Sequence, residues 1–404
     1  MSHRSFWPAS PTRIARFLVA LVVALGVLSG SMTAGVGPQA AAAVTAPLRL
    51  GVAYGDDLTW SNDRGLNSAL NHASRLGIDW IRVDLSWADI QWDGPDQYLW
   101  NRFDRVVAAA RSHHLQVLAT IAYTPPWARQ PGCSTPSCPP ADPARFADFA
   151  RLAAARYAPL GVHQWEVWNE PNGGGFWIPR ADPAAFTKLL VTTAAAIKGV
   201  DPKATIVLGG LAALRDTAAD DDPVAFLTEV ARRGGTKVVD AVGFHPYTYP
   251  YRASFRAPWR TAWDLMLPPG SPPPPAGSPR DLRTVLRAYQ TPDLPIWITE
   301  YGAPTGGPNA PADGSPESIG PGTTHVTQAW QATLAADAVH TAAVDPEVQA
   351  LMWYSDRDRS TDAQSNENFY GLRNRDGSRK PAFYAYRQAI QEVRASRPKG
   401  LPVG

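Results

Sequence analysis

Cysteine is nearly absent. The 404 residues hold two, Cys133 and Cys138, too few for an all-cysteine zinc site or a disulfide-stapled scaffold. Charge is sparse as well, at 18% of residues, and its signs nearly cancel to a net +2, so no concentrated basic surface exists for nucleic acid. The apolar run from Phe17 to Leu28 covers twelve residues, short of the roughly 20 that span a bilayer. No His-Glu-x-x-His motif is present, and His113 and His114 are neighbours on a helical run, so their side chains face apart. A Gly-x-Ser-x-Gly elbow and a dinucleotide fingerprint after the first strand are missing too. These absences argue against metal, serine-nucleophile and dinucleotide chemistry.

What is present begins with an export pattern. Arg4, Arg13 and Arg16 precede the apolar run, and small residues ending in Ala40 to Ala43 follow it. Residues 1–43 are expected to be a signal peptide, with Ala41-Ala42-Ala43 supplying small side chains at the cleavage positions, and residues 44–404 to form a secreted catalytic domain. The leader carries three arginines and no acid, so its removal takes the net charge from +2 to −1. In an oxidising compartment Cys133 and Cys138, five residues apart in a turn-rich stretch, are expected to pair as a structural disulfide.

Beyond residue 43, short β-rich runs alternate with amphipathic helical runs. Candidate strands are 48–53, 80–85, 116–122, 164–168, 205–211, 241–245, 296–300 and 350–354. Helices are expected over 66–76, 100–114, 145–157, 186–200, 224–233, 328–344 and from about Pro381. Asp142-Pro143, Asp182-Pro183 and Asp222-Pro223 mark helix starts, the Asp capping free amides and the Pro entering the first turn. Eight such units predict an α/β fold, a single-domain (β/α)8 TIM barrel with extended loops at the carboxyl ends of its strands. Two Pro/Gly-rich stretches hold the surplus length: 268–279, and 302–322 directly after the seventh strand, where a rim or lid is expected.

Barrel enzymes draw chemistry from strand ends. Glu170 in Trp168-Asn-Glu-Pro171 ends the fourth strand, and Glu300 in Trp297-Ile-Thr-Glu-Tyr-Gly302 ends the seventh. A barrel can aim both at one bond, and paired carboxylates are what glycosidic cleavage requires: one protonated to assist the leaving oxygen, one ionised. Glu166 lies about 13 Å further down the fourth strand and is expected to be structural. On the second strand Arg82 and Asp84 alternate with apolar residues and face inward. Asp84 is left between an internal pair with Arg82 and a substrate contact.

These two motifs resemble the acid/base and nucleophile signatures of clan A glycoside hydrolases, with nearest likeness to proteins related to families 5 and 39, over essentially the whole chain beyond residue 43. The resemblance implies a retaining glycoside hydrolase acting on a β-linked polysaccharide or oligosaccharide, with Glu170 as acid/base and Glu300 as nucleophile. It also implies that Asn169 binds a sugar 2-hydroxyl, that Arg82 keeps Glu300 charged, that His245 and Tyr247 reach the nucleophile and the sugar, and that Trp353 floors the central subsite. Trp87, Trp127, Trp168 and Trp177 are further candidates for stacking on sugar rings. No metal or organic cofactor is expected, no membrane insertion after leader removal, and a monomer. A transglycosylase using the same carboxylates and a non-catalytic carbohydrate-binding barrel are the alternatives.

Overall fold

The computed structural model describes residues 47–256, 281–320 and 322–396. The expected leader and the 268–279 stretch lie outside the described residues. Eight parallel strands close into a barrel in sequence order: β1 Arg49–Ala53, β2 Trp80–Ser86, β3 Gln116–Ala122, β4 Gln164–Val167, β5 Thr205–Ala212, β6 Ala241–His245, β7 Ile296–Tyr301 and β8 Val348–Tyr354. Closure is made by β1 pairing with both β2 and β8. The chain is thus the expected (β/α)8 barrel.

Each strand is followed by a helix that covers its outer face, including Leu282–Ala288 between β6 and β7, which the sequence pattern did not single out. The Asp-Pro starts are true caps: Asp142 accepts from the amide of Ala144, while Asp182 and Asp222 each accept from two first-turn amides. Each cap contributes about 1 kcal/mol. The outward strand residues, Ile81, Val83 and Leu85 among them, join one large apolar cluster with the helices. Inside the barrel a smaller cluster of Ala53, Leu118, Val207, Ala241, Trp297, Ala350 and Met352 fills the interior, so the barrel is a packed core with a site at one end.

Cys133 and Cys138 form the expected disulfide in the loop after β3, with Cα atoms 5.9 Å apart. The 302–322 segment departs from expectation. Its Ala303 and Ala312 pack against Val326 and Leu334, and no described residue of 302–322 lines the barrel mouth. Residues following β8 form that rim instead: Arg359, Glu367 and Tyr370.

Candidate active site

At the carboxyl ends of the strands lies a cavity of about 680 Å³. Its floor follows from strand alternation. Side chains two apart on a strand share a face, so Arg82, Asp84 and Ser86 of β2 all point inward and line it. β4 would allow only every second residue to do so. Trp168 and Glu170, however, both have left-handed backbone (φ 72° and 46°), and the kink brings the adjacent Asn169 and Glu170 to the cavity together. Tyr123 (φ 69°) and Tyr247 (φ 27°) line it from similarly uncommon backbone. Such conformations cost of order 1–3 kcal/mol each and persist where surrounding contacts hold them. For Glu170 the hold includes its amide, which donates to the Gly210 carbonyl at 3.0 Å.

Arg82 organises the floor. It is fully buried, and its guanidinium donates from Nε to Glu166 (2.6 Å), from Nη1 to Glu300 (2.6 Å) and from Nη2 to Asn169 Oδ1 (2.7 Å). Burial alone would lower its pKa, but the Glu166 and Glu300 carboxylates outweigh that and raise it. Glu166 is structural, as expected: it also accepts from Thr120 Oγ1 at 2.7 Å and from the Gly210 amide at 3.1 Å. With the three arms of its fork taken, Arg82 makes no pair with Asp84, and that alternative is set aside.

Glu300 keeps only 12% side-chain exposure and receives a second donor, Tyr247 Oη, at 2.6 Å. A shift of register between β7 and β8 at Ile298/Tyr301 frees the strand end locally, so Glu300 turns to the cavity although Thr299 beside it faces His245. Burial would raise the Glu300 pKa; His245, Arg82 and the Tyr247 hydroxyl overcome it and hold the carboxylate below its ordinary value.

His245, fully buried on β6, shares a hydrogen bond between Nδ1 and Glu170 Oε1 at 2.8 Å, and its Nε2 meets Thr299 Oγ1 at 2.9 Å. Its nearest approach to Glu300 is 3.8 Å, so of the two residues expected to reach Glu300, Tyr247 does so directly and His245 touches Glu170. Burial lowers the His245 pKa, but Glu300 and Glu170 together raise it. A side chain at Gly210 would collide with this imidazole, which accounts for glycine there. Oxygens of Glu170 and Glu300 and a ring nitrogen of His245 all lie within 4.8 Å of one another. A trio of this kind can hold a cation elsewhere, but the Arg82 guanidinium against Glu300 supplies the positive charge here.

The expected tryptophans lie elsewhere. Trp353 is fully buried, packed on Tyr301 and on Tyr386 of the last helix, because it occupies the outward register of β8. Its neighbour Tyr354 takes the inward position and lines the cavity. Trp168 donates to the Phe176 carbonyl and packs on Trp177 and Phe146, Trp177 packs on Phe186, and Trp87 is buried against Phe146 and Phe149. Trp127 is half-buried, edge-on to Trp87, with Nε1 donating to the Gln91 carbonyl. None of these five lines the cavity. Its aromatic walls are Tyr123, Phe176, Tyr247, Tyr249, Tyr354 and Tyr370, most of which carried no motif signal.

A closed barrel with two carboxylates facing each other at its carboxyl end defines the clan A type of glycoside hydrolase, related to families 5 and 39. The chain belongs to glycosyl hydrolase family 5: the profile described as "Cellulase (glycosyl hydrolase family 5)" matches residues 43–341. A β-xylosidase of Geobacillus stearothermophilus is 33% identical over 155 residues, an alignment that covers 36% of this chain and only 27% of that protein. Among solved structures, a family 39 glycoside hydrolase from Bacteroides cellulosilyticus superposes with a TM-score of 0.62 at 21% identity, over 85% of this chain and 64% of the other. A family 5 subfamily 18 enzyme from Streptomyces cattleya, solved in complex with GlcNAc, gives 0.60 at 18% identity over 89% and 83%.

Proposed function

We propose that the protein cleaves β-glycosidic bonds of a polysaccharide or oligosaccharide with retention of configuration. The observation that carries this is the facing pair Glu170 and Glu300. One oxygen of each comes within 4.8 Å of the other, which supports the roughly 5–5.5 Å carboxyl spacing of double displacement over the roughly 6.5–9.5 Å by which inversion admits a water. Glu300, held ionised by Arg82 and Tyr247, attacks the anomeric carbon. The bond from that carbon to the glycosidic oxygen breaks, and the departing oxygen takes the proton of Glu170. Glu170, now a carboxylate, then takes a proton from water, whose oxygen attacks the anomeric carbon and releases Glu300. Asn169, with its Oδ1 fixed by Arg82, has its amide nitrogen left to bind the sugar 2-hydroxyl.

Glu300→Gln should abolish turnover of every substrate. Glu170→Ala should spare aryl glycosides whose leaving groups need no proton, and should trap a sugar on Glu300 that peptide mapping locates. Wild-type turnover in both variants on a good natural substrate would refute the assignment. The export pattern of residues 1–43 supports a secreted enzyme, and the cavity's polar and aromatic walls suit a neutral sugar as its partner.

A further inference from the structure

The charge around the cavity is one-sided. Among the described residues, and apart from Glu170, Glu300 and His245, its charged lining residues are Asp56, Arg82, Asp84, Asp89, Arg359 and Glu367, and all six come from β2 or from the segments after β1, β2 and β8. These three strands are neighbours in the barrel. Across from them, the segments after β4 and within and after β5 contribute Phe176, Ala212, Ala213 and Leu214. Glu170 belongs to this second side. On the double-displacement reading, on which the following inference rests, the leaving oxygen is protonated from the β4 side, so the departing portion lies toward the apolar wall. The ring attacked by Glu300 then lies toward the charged wall.

At the base of that wall Asp84 is incomplete. Its backbone is pinned, the amide donating to the Gly55 carbonyl at 2.9 Å, and the residue, which lines the cavity, is 9% exposed. Yet Oδ1, shielded from solvent, has no hydrogen-bond partner among the described residues, and Arg82, the cation two residues before it, is committed to Glu166, Glu300 and Asn169. A buried oxygen without a partner is costly, and because Oδ1 is shielded, a sugar hydroxyl reaches this carboxyl on the side that faces the cavity. Sugar hydroxyls both donate and accept, so they can complete this group in either protonation state. Burial first, then Asp56, Glu300 and Glu166 against the opposing pull of Arg82, lift its pKa to about 7, so both states are accessible near neutrality.

We propose that Asp84 is a specificity-determining residue that binds a hydroxyl at C3 or C4 of the ring attacked by Glu300. With Asn169 at the 2-hydroxyl, the positions further round the ring fall to the charged wall, and Asp84 is the buried carboxyl at its base, with Oδ1 unpartnered among the described residues.

The test uses 4-nitrophenyl β-glycosides of xylose, glucose, mannose and galactose to find a sugar the wild-type enzyme turns over, then the 3-deoxy and 4-deoxy forms of that glycoside. For wild type, deoxygenation at one of these positions should lower kcat/KM about 10- to 100-fold, the worth of a hydrogen bond to a charged or ionisable group. In Asp84→Ala the parent glycoside should fall by a similar factor, and the deoxy form should lose nothing further. Asp84→Asn, which keeps the shape and one acceptor, should retain part of the discrimination and covers the case in which the alanine variant does not fold. A purely structural role would slow all glycosides alike and leave the hydroxyl dependence intact, which would overturn the proposal. So would a wild-type enzyme indifferent to both deoxygenations. Full activity in Glu300→Gln would instead refute the double-displacement reading, a separate result.

Discussion

Asp84 and Glu300 are both carboxyls sunk into the mouth of the barrel, and their neighbours push them in opposite directions. Glu300 has a guanidinium, an imidazole and a phenol around it and stays ionised below its ordinary range. Asp84 is buried among Asp56, Glu300 and Glu166, with Arg82 only partly compensating, and rises to about 7. This has a consequence for stability. In the unfolded chain an aspartate loses its proton near 3.9. Between that value and about 7 the folded protein therefore binds more protons than the unfolded one, and stability falls as pH rises through this window. Asp84→Asn removes the titration. Its melting temperature should gain on wild type as pH goes from 4 to 7 and the gain should level off above, corresponding to about 4 kcal/mol at most. Thermal melts of both proteins at pH 4, 6 and 8 check this, and a pH-independent difference would contradict it. A site carboxyl whose removal stabilises the protein is the expected signature of a binding group kept at a cost to the fold.

Strand β8 shows how one residue of register separates packing from function. Trp353 and Tyr354 are adjacent, so they face opposite sides: the first enters the layer between barrel and helices, the second the cavity. Trp353→Ala should therefore cost about 3–5 kcal/mol in urea unfolding, as for other large core aromatics. Tyr354→Ala, at a half-buried position, should cost less stability and raise KM. If Trp353→Ala changes KM at unchanged stability, the register drawn here is wrong. The same alternation explains which parts of the site were legible in advance. Arg82, Asn169, Glu170, His245, Tyr247 and Glu300 sit in or beside β-rich runs whose ends are visible as apolar stretches meeting polar motifs. The tryptophans misled because the aromatic bias marks either a sugar platform or a core. Here all five pack in or beside the layer around the barrel, and tyrosines take the cavity. Tyr123, Arg359 and Glu367 lie in segments with no periodicity, where sequence offers no direction for a side chain.

At the scale of the molecule, closure is what makes a site. Arg82 and Glu300 are 218 residues apart in sequence and 2.6 Å apart in space because β7, β8, β1 and β2 lie side by side around one axis. The whole chain also carries its proposed export leader, whose three arginines account for the positive net charge. Intact mass of the protein recovered outside the producing cells should correspond to a start near Val44, which leaves a formal net charge of −1. Recovery only inside the cells, with residues 1–43 attached, would refute export. The sequence by itself determined the eight strands and their covering helices other than Leu282–Ala288, the caps at Asp142, Asp182 and Asp222, and the two carboxylates. These rest on periodicity, local capping and motifs that occupy a few consecutive residues. The disulfide followed too, since its partners are five residues apart and no other cysteine competes. Only the tertiary structure decided that Arg82 bonds Glu166, Glu300 and Asn169 rather than Asp84, that the segment after β8 forms the rim in place of the one after β7, and that tyrosine lines the cavity. Each of those depends on distances across the barrel and on the inward or outward register of a strand, and neither is fixed until the sheet has closed and one face has been buried.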